Sequence, residues 1–144
     1  MNRNSPSRRD LYAAGMDELL SERVHQIAQH ADDLGRAVEF YRDVLGYPVL
    51  ATFDPPGLAF FDLGNVRLLL EGGAASAVLY LGVADIDAAR DSLLAKGVEF
   101  IDEPHMIYFD EDGTFGEPGC EEWMTFFRDS EGNTVGLVER RRRI

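Results

Sequence analysis

Apolar and polar positions along this chain fall into short blocks of two periods, and the blocks recur. Gln26-Ile27-Ala28-Gln29-His30-Ala31 reads as a strand that passes through Asp32-Asp33 into Leu34, Ala37, Val38, Tyr41, Val44 and Leu45. The second spacing is helical, because it gathers the apolar side chains on one side of a 3.6-residue repeat. The block that begins at Val78 and runs through Asp85-Ile86 repeats this at a constant shift of 52, with Ile86, Ala89, Leu93 and Leu94 on the apolar face. Asp33 and Asp85 stand where a carboxylate caps the free amides of a first helical turn. Gly46 and Gly97 stand where each helix stops.

A second pair of blocks closes each half. Phe60 to Glu71 matches Phe126 to Glu139, with a shift of 68 from the Gly-Asn pair onward. A Gly-Asn pair between two apolar runs predicts a hairpin, since the turn needs residues that tolerate positive φ. Tyr47 to Phe53 and Val98 to Ile101 supply the remaining early strands, so each half reads strand, helix, three strands. The predicted domain spans 23–139, with module one at 23–71 and module two at 77–139, joined by the small-residue stretch Gly72 to Ser76. Residues 1–22 form an extension in which Met1 to Arg9 is expected to be disordered and Leu11 to Glu22 to form a short helix. Residues 140–144 are expected to be a solvated basic tail. Phe109 to Glu122, rich in Gly, Pro and acids, is expected to be a loop inserted in module two.

At 144 residues and 45% hydrophobic content the chain can build one core without disulfides. Its single cysteine, Cys120, can supply neither an internal disulfide nor a thiolate cluster, which suits a reducing cytoplasm. No apolar run approaches the roughly 20 residues of a spanning helix, so no membrane association is expected. The net charge of −12 understates the middle of the chain: without Arg3, Arg8, Arg9 and Arg140 to Arg143, residues 10–139 carry −19. That field disfavours nucleic acid and favours cationic or neutral aromatic ligands.

Two βαβββ copies with an Asp-Leu-x-x-Ala-x-x-Phe-Tyr start (Asp33 to Tyr41), a Leu45-Gly46 stop and an Asp-x-x-Gly-Asn hairpin (Asp129 to Asn133) resemble the vicinal oxygen chelate superfamily. That group includes glyoxalase I, bleomycin-binding proteins and extradiol dioxygenases. The resemblance implies an α+β fold in which tandem modules form a curved, incompletely closed mixed sheet around a cavity, commonly completed in a homodimer. It also implies that metal-using members draw ligands from the first and last strands of each module. Carried onto this chain, those positions are Gln26, Leu68, Val78 and Gly136, of which only Gln26 could bind a metal. No cofactor is therefore expected, and if a metal were held, Gln26 and His30 would be its ligands.

Strand alternation puts His30 on the side of Gln26, and Tyr80 on the side of Val78. His105, after Pro104, could serve as acid, base or hydrogen-bond donor; it could equally bond its own loop. Trp123, Thr125 and Phe127 share one strand face and Met124 and Phe126 the other. The expected function is binding of a small molecule by Gln26, His30, Tyr80, His105 and Trp123, with His105 the candidate catalytic residue. The competing expectation is a lyase, isomerase or dioxygenase with a rearranged metal site.

Overall fold

Both expected helix starts are present in the computed structural model, which describes Ser21 and residues 23–144. The Asp33 carboxylate accepts the Arg36 amide and that of Asp85 the Ala88 amide, each at 3.0 Å. Helix α1 (Leu34–Glu39) continues into a π-helical turn, Phe40–Val44, and helix α2 spans Ile86–Ala95. Gly46 and Gly97 follow with φ of 84° and 86°, the left-handed region that a Cβ disfavours. The disordered stretch expected at Met1 to Arg9 lies outside the described residues, as does all but Ser21 of the short helix expected at Leu11 to Glu22.

Module one contains β1 (Gln26–His30), β2 (Val49–Phe53), β3 (Leu58–Asp62) and β4 (Arg67–Glu71), in the order β1-β4-β3-β2. Module two contains β5 (Leu79–Gly82), β6 (Glu99–Phe100), β7 (His105–Asp110), β8 (Cys120–Arg128) and β9 (Thr134–Arg142), in the order β5-β9-β8-β6, with β7 also on β8. In both sheets the first and last strands pair in parallel and the rest antiparallel. The tandem modules and unclosed, curved sheets expected from the sequence are thus present. Strands β6 and β7 follow one another along the same edge of β8, opposite Arg128 and Phe127 and then Met124 to Cys120. They are one strand broken at residues 101–104. Asp102 patches the break: its carboxylate accepts the Phe126 amide and the Thr125 hydroxyl, both at 2.9 Å.

The covered sheet faces and the helices share one core. Ala37, Tyr41, Phe61, Leu68 and Leu70 of module one pack in the same buried cluster as Ile86, Phe127, Val135 and Leu137 of module two. Tyr41, Phe61 and Phe127 are almost fully buried, and each contributes roughly 1.5–3 kcal/mol of hydrophobic stabilisation. Polar bonds cross the same boundary, from the Tyr41 hydroxyl to Asp129 at 2.8 Å and from the Asn133 amide to the His30 carbonyl at 2.8 Å.

Two expectations are corrected. The basic tail is not a tail, because Arg140–Arg142 complete β9 opposite Glu122–Cys120 of β8. Arg140 pairs with Asp110 and Glu122, Arg141 with Glu139 and Asp87, Arg142 with Glu117 and Arg143 with Glu121. Acids from the expected insertion neutralise that run, so module two extends past 139. The insertion itself shrinks to residues 111–119, since Phe109 and Asp110 finish β7 and Cys120–Glu122 begin β8. Asp110, fully buried, holds this loop by accepting the amides of Thr114 at 2.7 Å and Phe115 at 2.9 Å.

Candidate functional site

Each sheet has one face against the core and one, the open face, that among the described residues faces away from it. In the first sheet Ile27 stands beside Leu68 and Gln29 beside Leu70, all toward the core. The alternation of strand side chains then puts Gln26, Ala28, Arg67, Leu69 and Phe60 on the open face. In the second sheet Leu79, Val135, Leu137 and Phe127 face the core, and Tyr80, Gly136, Phe126, Met124 and His105 share the open face.

These registers correct the metal positions read from the sequence. Ala28 pairs with Leu69 as Tyr80 pairs with Gly136, so the last strands superpose at a shift of 67 rather than 68. Leu68 lies on the core face, and Leu69 occupies the matching position on the opposite face, where it is itself buried. Gln26 is the only one of these with a donor side chain, and its Oε1 already accepts the Arg67 Nε–H at 2.7 Å. A guanidinium at that corner repels a divalent ion. No group of three His, Cys, Asp or Glu side chains converges anywhere among the described residues. The described residues at these positions therefore do not fit the divalent ion of the metal-using relatives.

Aromatic packing fills the other corner. The Tyr80 and Phe126 rings meet edge to face, centroids 5.9 Å apart, across Gly136. A Cβ on Gly136 would lie 2.9 Å from Phe126 and 3.0 Å from Tyr80, so glycine here makes the ring contact possible. Gly136→Ala is expected to separate the rings and cost about 1–2 kcal/mol, as overpacking does. Urea unfolding checks the cost, and loss of Tyr80–Phe126 ring cross-peaks in NMR spectra checks its cause.

The other candidates divide. His105 sits on the open face opposite Met124, with Nδ1 held by the Glu103 carbonyl at 3.0 Å and the Asp102 carboxylate at 3.9 Å. A carbonyl only accepts, so Nδ1 is the donor in that bond, and Nε2 has no hydrogen-bond partner among the described residues. Trp123 is not a wall of this face. It stands opposite Glu139 on the core side, donates its Nε1–H to Glu121 at 2.8 Å and lies under Arg141, 4.4 Å from ring to guanidinium. Alternation grouped it correctly with Thr125 and Phe127 without saying which group faces the core. Glu139 is buried and accepts the Ile86 amide of α2 at 2.8 Å.

His30 lies at the strand end with both ring nitrogens engaged: Nε2 at 2.7 Å from Asp32 and Nδ1 at 3.2 Å from the Ala74 carbonyl. Two acceptors require two N–H groups, so the protonated ring fits best, and the Asp32 hydrogen bond raises its pKa. A raised folded-state value means the stabilisation is fully present below the unfolded pKa of about 6.5 and fades as pH rises through the folded value. Unfolding of the wild type and His30→Ala at pH 5.5 and pH 8.5 should show the larger gap at the lower pH. Both ring nitrogens of His30 are thus engaged within the chain. Among the described residues no hydrogen bond or ring contact joins Gln26 and His30 to Tyr80 and His105.

A cavity of about 500 Å³ opens where β1 approaches β5, lined by Ile27, Tyr47, Leu63, Val66, Val78 and Tyr80 among others. A second, of about 240 Å³, lies between the end of the first helix and α2, and shares Tyr47, Leu81 and Gly82 with it. Both are largely apolar. No helix among the described residues is long and apolar enough to cross a membrane.

Paired βαβββ modules, sharing a core and leaving one open face on each sheet, define the class. The chain belongs to the Glyoxalase/Bleomycin resistance protein/Dioxygenase superfamily, whose family model matches residues 23–137. It is 32% identical over 135 residues to the uncharacterized protein YraH of Bacillus subtilis (strain 168), covering 79% of this chain and 95% of that protein. A superfamily member from Sphaerobacter thermophilus is similar in structure with TM-score 0.65 and 25% identity, over 84% of this chain and 99% of that one. The antibiotic binding protein TnmS3 from Streptomyces sp. CB03234 shares the fold with TM-score 0.66 and 22% identity, over 86% and 99%. So does lactoylglutathione lyase from Agrobacterium tumefaciens, with TM-score 0.63 and 23% identity, over 83% and 94%.

Proposed function

We propose that this protein binds a small molecule on the open faces of its sheets without using a metal. The observation that carries this is the rebuilding of the positions from which relatives hold a cation. One corner is a Gln26–Arg67 pair and the other a Tyr80–Phe126 pair closed over Gly136. Phe53 and Tyr80 are about half exposed there, and such surface suits a ligand with an aromatic body. That TnmS3 is an antibiotic binding protein agrees with a binding role for this scaffold.

Open apolar faces on two sheets also favour pairing with a second copy, and we take a homodimer in the cytoplasm as the working state. His105 supports a second reading, a metal-free acid–base enzyme, because among the described residues its Nε2 has no hydrogen-bond partner on the open face.

Metal analysis of the purified protein, before and after loading with zinc, nickel, manganese and iron, tests the first reading together with a thermal-shift screen of aromatic antibiotics. The expected result is less than stoichiometric metal and a raised melting temperature with at least one compound. Stoichiometric metal that is lost in Gln26→Ala would refute it.

A further inference from the structure

The corner of the first sheet that lacks metal ligands holds a cation of its own. Arg67 enters the open face from β4, donates its Nε–H to Gln26 at 2.7 Å, and places its guanidinium 5.2 Å from the centre of the Phe60 ring. Phe60 meets Phe53 edge to face, centroids 6.0 Å apart, and Leu69 lies directly opposite Phe60 on the neighbouring strand. The Nε bond and the ring together fix the plane of the guanidinium. Among the described residues neither terminal nitrogen of Arg67 has an acceptor, and Arg67 forms no ion pair. Asp62, its cross-strand neighbour, spends one carboxylate oxygen on the Gly64 amide at 2.8 Å. The contrast with β9 is sharp, since Arg140, Arg141 and Arg142 all engage carboxylates.

We propose that Arg67 anchors the carboxylate of a planar aromatic ligand whose ring packs against Phe60 and Phe53. The guanidinium takes the part that a divalent ion plays in metal-using relatives, and holds the two oxygens of the ligand through its fork. A planar fork matches a carboxylate in two parallel charge-assisted hydrogen bonds, which fixes orientation as well as adding affinity. Phe60 and Phe53 offer the apolar wall for the ring, next to the charge that holds its substituent. The net charge of −12 argues for cationic ligands only at long range. At 0.1 M salt that repulsion is screened over about 10 Å, whereas the Arg67 contact acts at hydrogen-bond distance. The inference rests on the binding function proposed above and assigns its ligand class.

The test is an NMR titration of the full chain with 2-naphthoate and with its neutral isostere 2-naphthamide, following backbone amides. Naphthoate is expected to shift β1, β3 and β4 saturably and to bind about tenfold more tightly than naphthamide. Arg67→Gln should bring the two ligands within about twofold of each other. Arg67→Lys keeps the charge and loses the fork, and should retain only part of the preference. Spectra of the variants without ligand establish that each is folded. Equal binding of both probes by the wild type, or a preference that survives Arg67→Gln, overturns the anion anchor and leaves the binding function standing. Full preference in Arg67→Lys overturns the bidentate geometry. Failure of both probes and of the cation 2-naphthylmethylammonium to bind at all would overturn the binding function and this inference together.

Discussion

Asp129→Ala is expected to lower the unfolding free energy by about 3–4 kcal/mol, near the upper end for a single substitution. The carboxylate is buried and makes four bonds, to the Tyr41 hydroxyl, the Glu131 and Asn133 amides and the Asn133 side chain, all between 2.8 and 2.9 Å. Removing it strands a phenol that is almost fully buried, and a buried donor without an acceptor costs about 1–3 kcal/mol by itself. It also frees the turn that aims Asn133 at the His30 carbonyl, a bond between the modules. Tyr41→Phe removes one of the four bonds and leaves the others, and should cost only about 1 kcal/mol. Urea unfolding of both variants decides the point. Equal losses would mean that Asp129 is no more than the acceptor of one hydroxyl.

Asp129 belongs to the hairpin motif that was legible in the sequence, and so do the caps and stops of both helices. Asp33, Asp85, Gly46 and Gly97 act through local backbone chemistry, and local chemistry is written in neighbouring residues. The register between modules is another matter. Aligning the chain on Gly64-Asn65 and Gly132-Asn133 gives a shift of 68. In the structure Val66 intervenes between the first pair and its strand, while Thr134 follows the second pair at once. A slip of one residue turns every side chain to the opposite face, which is how Leu68 was placed on the open face in the stead of Leu69. The turns differ as well: among the described residues only the glycine of each pair has positive φ, and neither asparagine does.

Long-range pairing was the least legible feature. Trp123 could be grouped with its face but not oriented, because β8 carries large apolar residues on both sides. The arginines at 140–143 read as a tail when considered alone. Their signal was present in Asp110, Glu117, Glu121 and Glu122, an acidic segment that a hairpin between β8 and β9 brings beside them. Arg67 gave no sign at all, since one arginine in a strand predicts nothing until its register opposite Gln26 and its lack of a carboxylate partner among the described residues are known.

Glu131 gives the clearest expected pH dependence. It completes the cap of α1 from the other module. In a capping box the residue three places into the helix reaches back to the cap amide. Here that residue is Arg36, and Glu131 accepts the Asp33 amide at 2.8 Å while pairing with Arg36 Nε at 2.8 Å. Burial pushes the Glu131 carboxyl up; the bonds from Arg36, Asp33 and Ser130 outweigh it and bring its pKa from 4.5 down to about 2. A depressed folded-state value means that the stabilisation is complete above the unfolded pKa and drains away as pH falls from about 4.5 to about 2. Arg36 is about half exposed, so screening by solvent reduces the linkage to about 2 kcal/mol. Glu131→Gln should therefore be about 2 kcal/mol less stable than the wild type at pH 7, with the gap closing as the pH approaches 2. Urea unfolding of both proteins across that range measures the gap. A difference that stays constant with pH would assign the role of Glu131 to its shape and hydrogen bonds, and its charge would have no part in joining the two modules.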